Sequence, residues 1–399
     1  MRAVEIARRV RGLGTEQAFD FARRAREIER AGRDVVHLEF GEPDAPTPAH
    51  VVEAGVRALR EGHTRYEMPA GWPPLREAIA EEVSTTRGVE VGPDRIVVLP
   101  GAKPAMFFAA LSLLEEGDEG VYPDPGFPIY PSVIGLAGAK AVPWPIREEN
   151  GFLPDLGELR ALLTPRTRLL FLNSPHNPTG AVLPRAWLEG FVRIVRDRSG
   201  IAVVTDEIYS RLLYDEAEHV SPLAFDGMGE RTVVIDGFSK THAMTGWRLG
   251  FAVVPPPLAP VFERLVVNAV SCTPSFTQRA GLEAIRGPRE PLERMREEFR
   301  RRRDAFVEGL NAIPGARCTR PLGGFCVFPN VREAGLPSER LAWDLLEEEG
   351  VACVPGSAFG ARGEGYLRFA CTVPVPRIGE ALHRIARLLE RRRVGSRAR

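Results

Sequence analysis

From about residue 95 onward the chain alternates short apolar runs with helical stretches, and this alternation restricts the fold more than any other feature. The runs are Arg95–Leu99, Arg168–Leu172, Ile201–Thr205, Thr232–Asp236 and Arg248–Val254. Helical patterns over 103–115 and 185–198 lie between some of them. Strands alternating with helices predict an α/β layer with a mostly parallel sheet. The runs IAVVT and TVVI are β-branched and lack polar alternation, which suits strands buried on both faces.

The two ends of the chain read differently. Phe21, Ala25 and Ile28 fall on one side of a helix over Glu16 to Ala31, and a strand is expected over 34–40, before the turn-rich GEPDAPTP. The last third carries a long charged helix over 289–311, short strands over 324–330, 351–356 and 365–371, and helices over 338–350 and 376–392. This pattern predicts a smaller α+β unit. Arg300–Arg303, flanked by Glu297, Glu298 and Asp304, is expected to be a solvated helix face.

Lys+Arg and Asp+Glu both number 53, so the broad electrostatic footprint of a nucleic-acid or membrane-surface binder is missing. No stretch approaches the roughly 20 apolar residues of a membrane span. Cys272, Cys318, Cys326, Cys353 and Cys371 are odd in number, widely spaced and without a CxxC pair, so neither a disulfide framework nor a zinc site is expected. The N-terminal residues contain no apolar core of signal-peptide length. The expectation is a soluble, cytoplasmic protein with no nucleic-acid or membrane partner.

Only three of the basic residues are lysines: Lys103, Lys140 and Lys240. Arginine substitutes for lysine as a surface charge but not as a titratable primary amine. Lys140 is expected at the surface, at a strand start. Lys103 and Lys240 sit in more unusual surroundings. Three apolar strands run into polar clusters, namely NSPHNPTG (173–180), DEIYS (206–210) and GFSKTHAMTGWRLG (237–250). Ligands of open α/β sheets bind outside the carboxyl ends of the strands. Asn173, Asn177, Asp206, Tyr209, Ser239 and Lys240 are therefore expected in one pocket. VVLPGAKPAMFF adds a strand, a small-residue turn and a helix start suited to a phosphate. A lysine amine, a carboxylate, a tyrosine and a phosphate cradle together fit pyridoxal 5′-phosphate, with Arg248 beside the phosphate. Neither GxGxxG after a strand nor GxxxxGK[ST] occurs, which argues against dinucleotide and P-loop readings.

Eight motifs carry a resemblance over nearly the whole chain: GEPD (41–44), TRYEMPAG (64–71), PGAKPAMF (100–107), DPGFPIY (124–130), NSPHNPTG, DEIY (206–209), SKTHAMTGWRLG (239–250) and YLRF (366–369). The sequence resembles the class I and II aminotransferases of fold type I, in the branch that includes bacterial aspartate aminotransferases. The resemblance implies a large cofactor domain over 46–285 and a discontinuous small domain over 1–45 and 286–399. It implies that Lys240 forms the Schiff base and then shuttles a proton, and that Asp206 pairs with the pyridine nitrogen. Tyr209 and Asn177 would bind the ring oxygen. Arg248, Ser239 and the backbone of Gly101, Ala102 and Lys103 would hold the phosphate, and Phe127 would stack on the ring. Tyr66 would reach the phosphate of the other subunit, implying a homodimer with shared active sites. Arg368, with Gly41 close by, would clamp the substrate α-carboxylate.

The Lys103 side chain would either meet a distal carboxylate of the substrate or lie exposed at a helix start. The segment GLGTEQAF, His242, GGFCVF (323–328) and CTVPVP (371–376) depart from the family's usual patterns. The implied function is transamination between an L-amino acid and a 2-oxo acid, of aspartate/glutamate type if Lys103 faces the substrate. The alternative is a pyridoxal-phosphate-dependent lyase or cyclase acting on a specialised amino acid.

Overall fold

A computed structural model describes residues 4–397; residues 1–3 and 398–399, at the outer limits of the expected small domain, lie outside the described residues. Twelve strands are present among these residues. They are β1 (Val36–His37), β2 (Ile96–Leu99), β3 (Glu119–Asp124), β4 (Lys140–Pro145), β5 (Thr167–Asn173), β6 (Ala202–Asp206), β7 (Thr232–Gly237), β8 (Gly250–Val253), β9 (Cys326–Val327), β10 (Val351–Ala352), β11 (Val354–Pro355) and β12 (Leu367–Ala370).

Seven of them form one sheet in the order β2-β8-β7-β6-β5-β3-β4. Strands β4, β3, β5, β6 and β7 run parallel, and β8 is antiparallel to both β7 and β2. The run of β-branched residues is explained by cover on both faces. Successive side chains of a strand point to opposite sides. Val97 and Leu99 accordingly enter one core with helix Lys103–Leu113, while Ile96 and Val98 enter another with helix Pro73–Arg87. The β-branched character of the interior strands thus reflects an α/β/α sandwich.

Strand β3 has no strong signal in the sequence. Its residues are EGVYPD, and its first side chain, Glu119, is buried against Thr164, Arg166 and Lys140. Lys140 is exposed and opens β4, an edge strand whose prolines Pro143 and Pro145 cost no interior ladder bonds. Strand β8 begins at Gly250, two residues later than expected, because Arg248 takes a positive φ of 53°.

The ends of the chain pack together. Phe21, Ala25, Ile28 and Val36 share one core with Phe306, Leu345, Phe369 and Ile385. Strand β1 pairs parallel with β10, and β11-β12-β9 form a separate antiparallel sheet. The expected strands over 34–40, 324–330, 351–356 and 365–371 are present as shorter pieces.

The charged run Arg300–Arg303 corrects one expectation. Arg300 and Arg301 do pair with Glu297 and Glu298 along the helix surface. Arg302 and Arg303 are instead only 7% and 1% exposed. Arg302 grips Asp44 with two nitrogens, at 2.7 and 3.0 Å. Arg303 does the same to Asp215, at 2.6 and 3.1 Å. Four consecutive charges cover all sides of a helix, so two of them must face inward.

A second buried ion cluster supports the central sheet. Arg87 donates to Glu207 at 3.1 Å and to Asp236 at 2.5 Å, and Glu207 also accepts from Ser221 at 2.6 Å. Burial works against the charge of Glu207, but His219 and Arg87 outweigh it and hold its carboxyl at about 2. We predict that Arg87→Ala lowers stability by about 3–5 kcal/mol, since it strands two buried carboxylates. Arg303→Ala should cost less, because Asp215 is partly exposed and can rehydrate. Urea unfolding of both variants tests this order, and an equal or reversed cost would contradict it.

Candidate active site

The parallel ladder aligns the carboxyl ends of β5, β6 and β7. Asn173 and Asp206 are direct register partners, and Asp206 lies beside Ile235, two residues before the end of β7. The chain then turns into the short helix Phe238–Thr241, which carries Ser239 and Lys240. A cavity of about 580 Å3 opens above these ends. Its lining includes Gly41, Ala102, Lys103, Phe127, Asn177, Asp206, Tyr209, Ser239, Lys240, Arg248 and Arg368. Tyr66 does not line it, and at 87% exposure its ring stands in solvent in a single chain.

Lys240 donates from Nζ to the Gly41 carbonyl at 2.5 Å. Burial lowers its ammonium to about 8. Asp206 is buried, and the same cause raises its carboxyl to about 7. Tyr130 donates to Asp206 Oδ2 at 2.9 Å, and the Ile208 N–H donates to Oδ1 at 3.3 Å. Asn173 donates to the Asp206 carbonyl at 2.9 Å and accepts from the Asn177 N–H at 2.7 Å. This leaves Asn177 Oδ1 buried without a partner at the cavity wall. Burial also pushes the Tyr209 hydroxyl well up.

Ala102 caps the helix Lys103–Leu113, whose first backbone N–H groups have no helical acceptors. Gly101 has a φ of +91°, and a Cβ there would lie 2.2 Å from Arg248 Nη2. Glycine at this position is what lets the Arg248 guanidinium approach the turn. Arg248 Nη1 donates to the Thr245 carbonyl at 2.8 Å.

Arg368, on β12, is buried and donates to the Glu39 carbonyl, and its Nε has no partner. Gly41 borders the same guanidinium. Phe127 meets Tyr130 edge-on at 5.7 Å. Lys103 is ion-paired with Glu16, and its Nζ lies 5.5 Å from the Phe127 centroid.

The cavity therefore collects one amine of lowered pKa, one buried carboxylate, an orphaned amide oxygen, three arginines and a helix start. Such a set can bind an anionic cofactor with a cationic ring nitrogen and hold a carboxylate substrate beside the amine.

The family model for aminotransferase class I and II matches residues 33–385. The chain belongs to the class I and II aminotransferases. The arginine–pyruvate transaminase of Pseudomonas aeruginosa is 40% identical, with 97% of this chain and 98% of that protein covered. An aspartate aminotransferase of Pyrococcus horikoshii is 38% identical over 96% of this chain and 97% of its own length. The solved structure of Thermus thermophilus aspartate aminotransferase with maleate superposes with a TM-score of 0.92 at 37% identity, covering 97% and 100% of the two chains. The aminotransferase thus has the α/β architecture of fold type I, and it is an enzyme, a transaminase. Its named relatives transfer amino groups, and the elimination or cyclisation alternative gains no support from them.

Two residues that touch this site carry no function in the motif reading. Tyr130 stands in DPGFPIY, three residues after Phe127, yet only the fold brings its hydroxyl to Asp206. Glu16 lies in GLGTEQAF, where nothing local signals its pairing with Lys103. His242 does not line the cavity. It packs against Phe238 at 5.5 Å, and burial lowers it to about 4.

The raised carboxyl of Asp206 has a stability consequence. A group that ionises at about 7 when folded and near 4 when unfolded binds more protons in the folded state between those values. Stability is therefore lost as pH rises from about 4 to about 7, by roughly 4 kcal/mol in full. We predict that Asp206→Asn, without added cofactor, gains on the wild type by about that amount between acidic and mildly alkaline pH. A stability difference that does not change with pH in urea unfolding would contradict the assignment.

Proposed function

We propose that the aminotransferase carries pyridoxal 5′-phosphate in this cavity and moves an amino group between an L-amino acid and a 2-oxo acid by a ping-pong mechanism. The observation that carries this reading is the convergence of Lys240, Asp206, Asn177 and Arg248 on one cavity at the strand ends. When bound, the cofactor supplies an electron sink for charge leaving the substrate Cα. Lys240 is the amine that holds it, and then the group that moves a proton at Cα. With its ammonium near 8, a useful fraction is neutral base at mildly alkaline pH.

Asp206 is costly to ionise alone, so a cation on the ring nitrogen is the partner that favours its carboxylate form. Tyr130 and the Ile208 N–H orient that carboxylate. The orphaned Asn177 Oδ1 and the Tyr209 hydroxyl suit the ring oxygen side, and Phe127 suits a ring face. Ser239, Arg248 and the N–H groups around Gly101, Ala102 and Lys103 suit the phosphate. The unpartnered Nε of Arg368 supports a clamp on the substrate α-carboxylate beside Gly41.

We further infer a homodimer with shared active sites. Tyr66, Met68, Val267 and Val270 are exposed, and Tyr66 lies outside the cavity of its own chain. A second copy would cover the apolar residues and bring Tyr66 to the partner's phosphate. The common core of the two chain ends supports a discontinuous small domain over 1–45 and 286–399 against a large one over 46–285. The five free cysteines are in keeping with a cytoplasmic location. Lys103 at the cavity wall, together with relatives named for aspartate, favours a donor of aspartate or glutamate type.

Titration with pyridoxal 5′-phosphate is expected to produce a visible absorption band that an amino donor removes and a 2-oxo acid restores. Lys240→Ala should lose the covalent band and roughly 10⁴-fold in turnover. A protein that forms no band, or a Lys240→Ala variant with near-normal turnover, would overturn the proposal. In sedimentation the holoenzyme is expected at twice the 44.0 kDa of the chain. A monomer would contradict the shared site.

A further inference from the structure

The side-chain end of the cavity has its own charge arrangement. Apart from Lys240, Arg248 and Arg368, the cations lining the cavity are Lys103 and Arg26, and its anions besides Asp206 are Glu16 and Glu42. Glu42 accepts from the Thr245 hydroxyl. Glu16 and Lys103 hold each other in a direct ion pair, with side chains 27% and 41% exposed. The same amine lies over the ring of Phe127. Phe19, Phe40, Met106 and Phe359 supply apolar wall to this cavity. Glu16 sits on the segment just before helix Ala18–Arg30, whose residue Ala18 packs with Phe359 and Val354. Its carboxylate lies in the cavity wall.

We propose that Glu16 is a specificity-determining residue that competes with the distal carboxylate of a dicarboxylic substrate for Lys103. The inference rests on the site reading above, in which Arg368 takes the α-carboxylate and Lys103 favours an acidic side chain. With the pair intact, the charge of Lys103 is already matched and aromatic rings border the wall, so an uncharged side chain is accepted without breaking that ion pair. A dicarboxylic substrate must take Lys103 from Glu16 and then lie beside the Glu16 carboxylate. A partly exposed ion pair is weak enough for such an exchange to occur. The cost therefore falls selectively on acidic side chains and does not exclude them. Glu16 also lies close enough to Lys240 to favour its charged form, an influence common to all donors. A ratio of donors cancels it.

The test is kcat/KM for aspartate divided by kcat/KM for phenylalanine, each with the same 2-oxo acid acceptor and the cofactor-loaded enzyme. Glu16→Gln keeps the shape and removes the charge, and it is expected to raise this ratio on the order of tenfold. Glu16→Asp, which keeps the charge, should stay much nearer the wild type. The rise must depend on the freed amine, so Glu16→Gln combined with Lys103→Met should lose it. A ratio within twofold of wild type in Glu16→Gln overturns the proposal, as does a rise that persists without Lys103. A wild-type enzyme that binds the cofactor but turns over neither donor contradicts the site reading itself and the proposal with it.

Discussion

The hydrogen-bond ladder joining β5, β6 and β7 sets Asn173 beside Asp206 and leaves Gly237 to turn into the helix that carries Lys240. The site depends on that register. A slip of β6 by one residue would turn Asp206 to the opposite face of the sheet and out of register with Asn173. Register in turn follows from apolar layers on both faces, because Val203 and Val204 must enter different cores. The packing that makes the sheet stable therefore also places the polar residues at its edge.

Desolvation decides the electrostatics. Below the cavity, Glu207 and Asp236 share Arg87, so their charges are compensated within the protein. At the cavity, Asp206 has only a tyrosine hydroxyl and a backbone N–H, and burial leaves its ionisation near neutral pH. Lys240 is buried too, and its ammonium is destabilised. The fold neutralises the carboxylates that support the sheet and leaves Asp206, at the cavity, without a cationic partner. That contrast is in keeping with the charged cofactor proposed for this site.

Much of this was legible in the sequence, for physical reasons. Buried parallel strands need β-branched runs, so β2, β5, β6 and β7 announced themselves, and the polar clusters after them marked the pocket. The scarcity of lysine isolated Lys240. Strand β3 is not legible locally because it carries Glu119 and Pro123 and is held by a neighbouring ion cluster. Arg302 and Arg303 looked like surface charge because their acceptors, Asp44 and Asp215, lie far away in the chain. Tyr130 and Glu16 were invisible for the same reason. Each acts through one long-range contact, and a local pattern carries no trace of such a contact.

Lys240, rather than either other lysine, is the amine proposed to hold the cofactor. Reduction of the cofactor-loaded protein with borohydride, followed by peptide mass mapping, tests it directly, because the chain has only three lysines to distinguish. The cofactor's mass is expected on the peptide containing Lys240 and on no other. Labelling of Lys103 with Lys240 unmodified would contradict it.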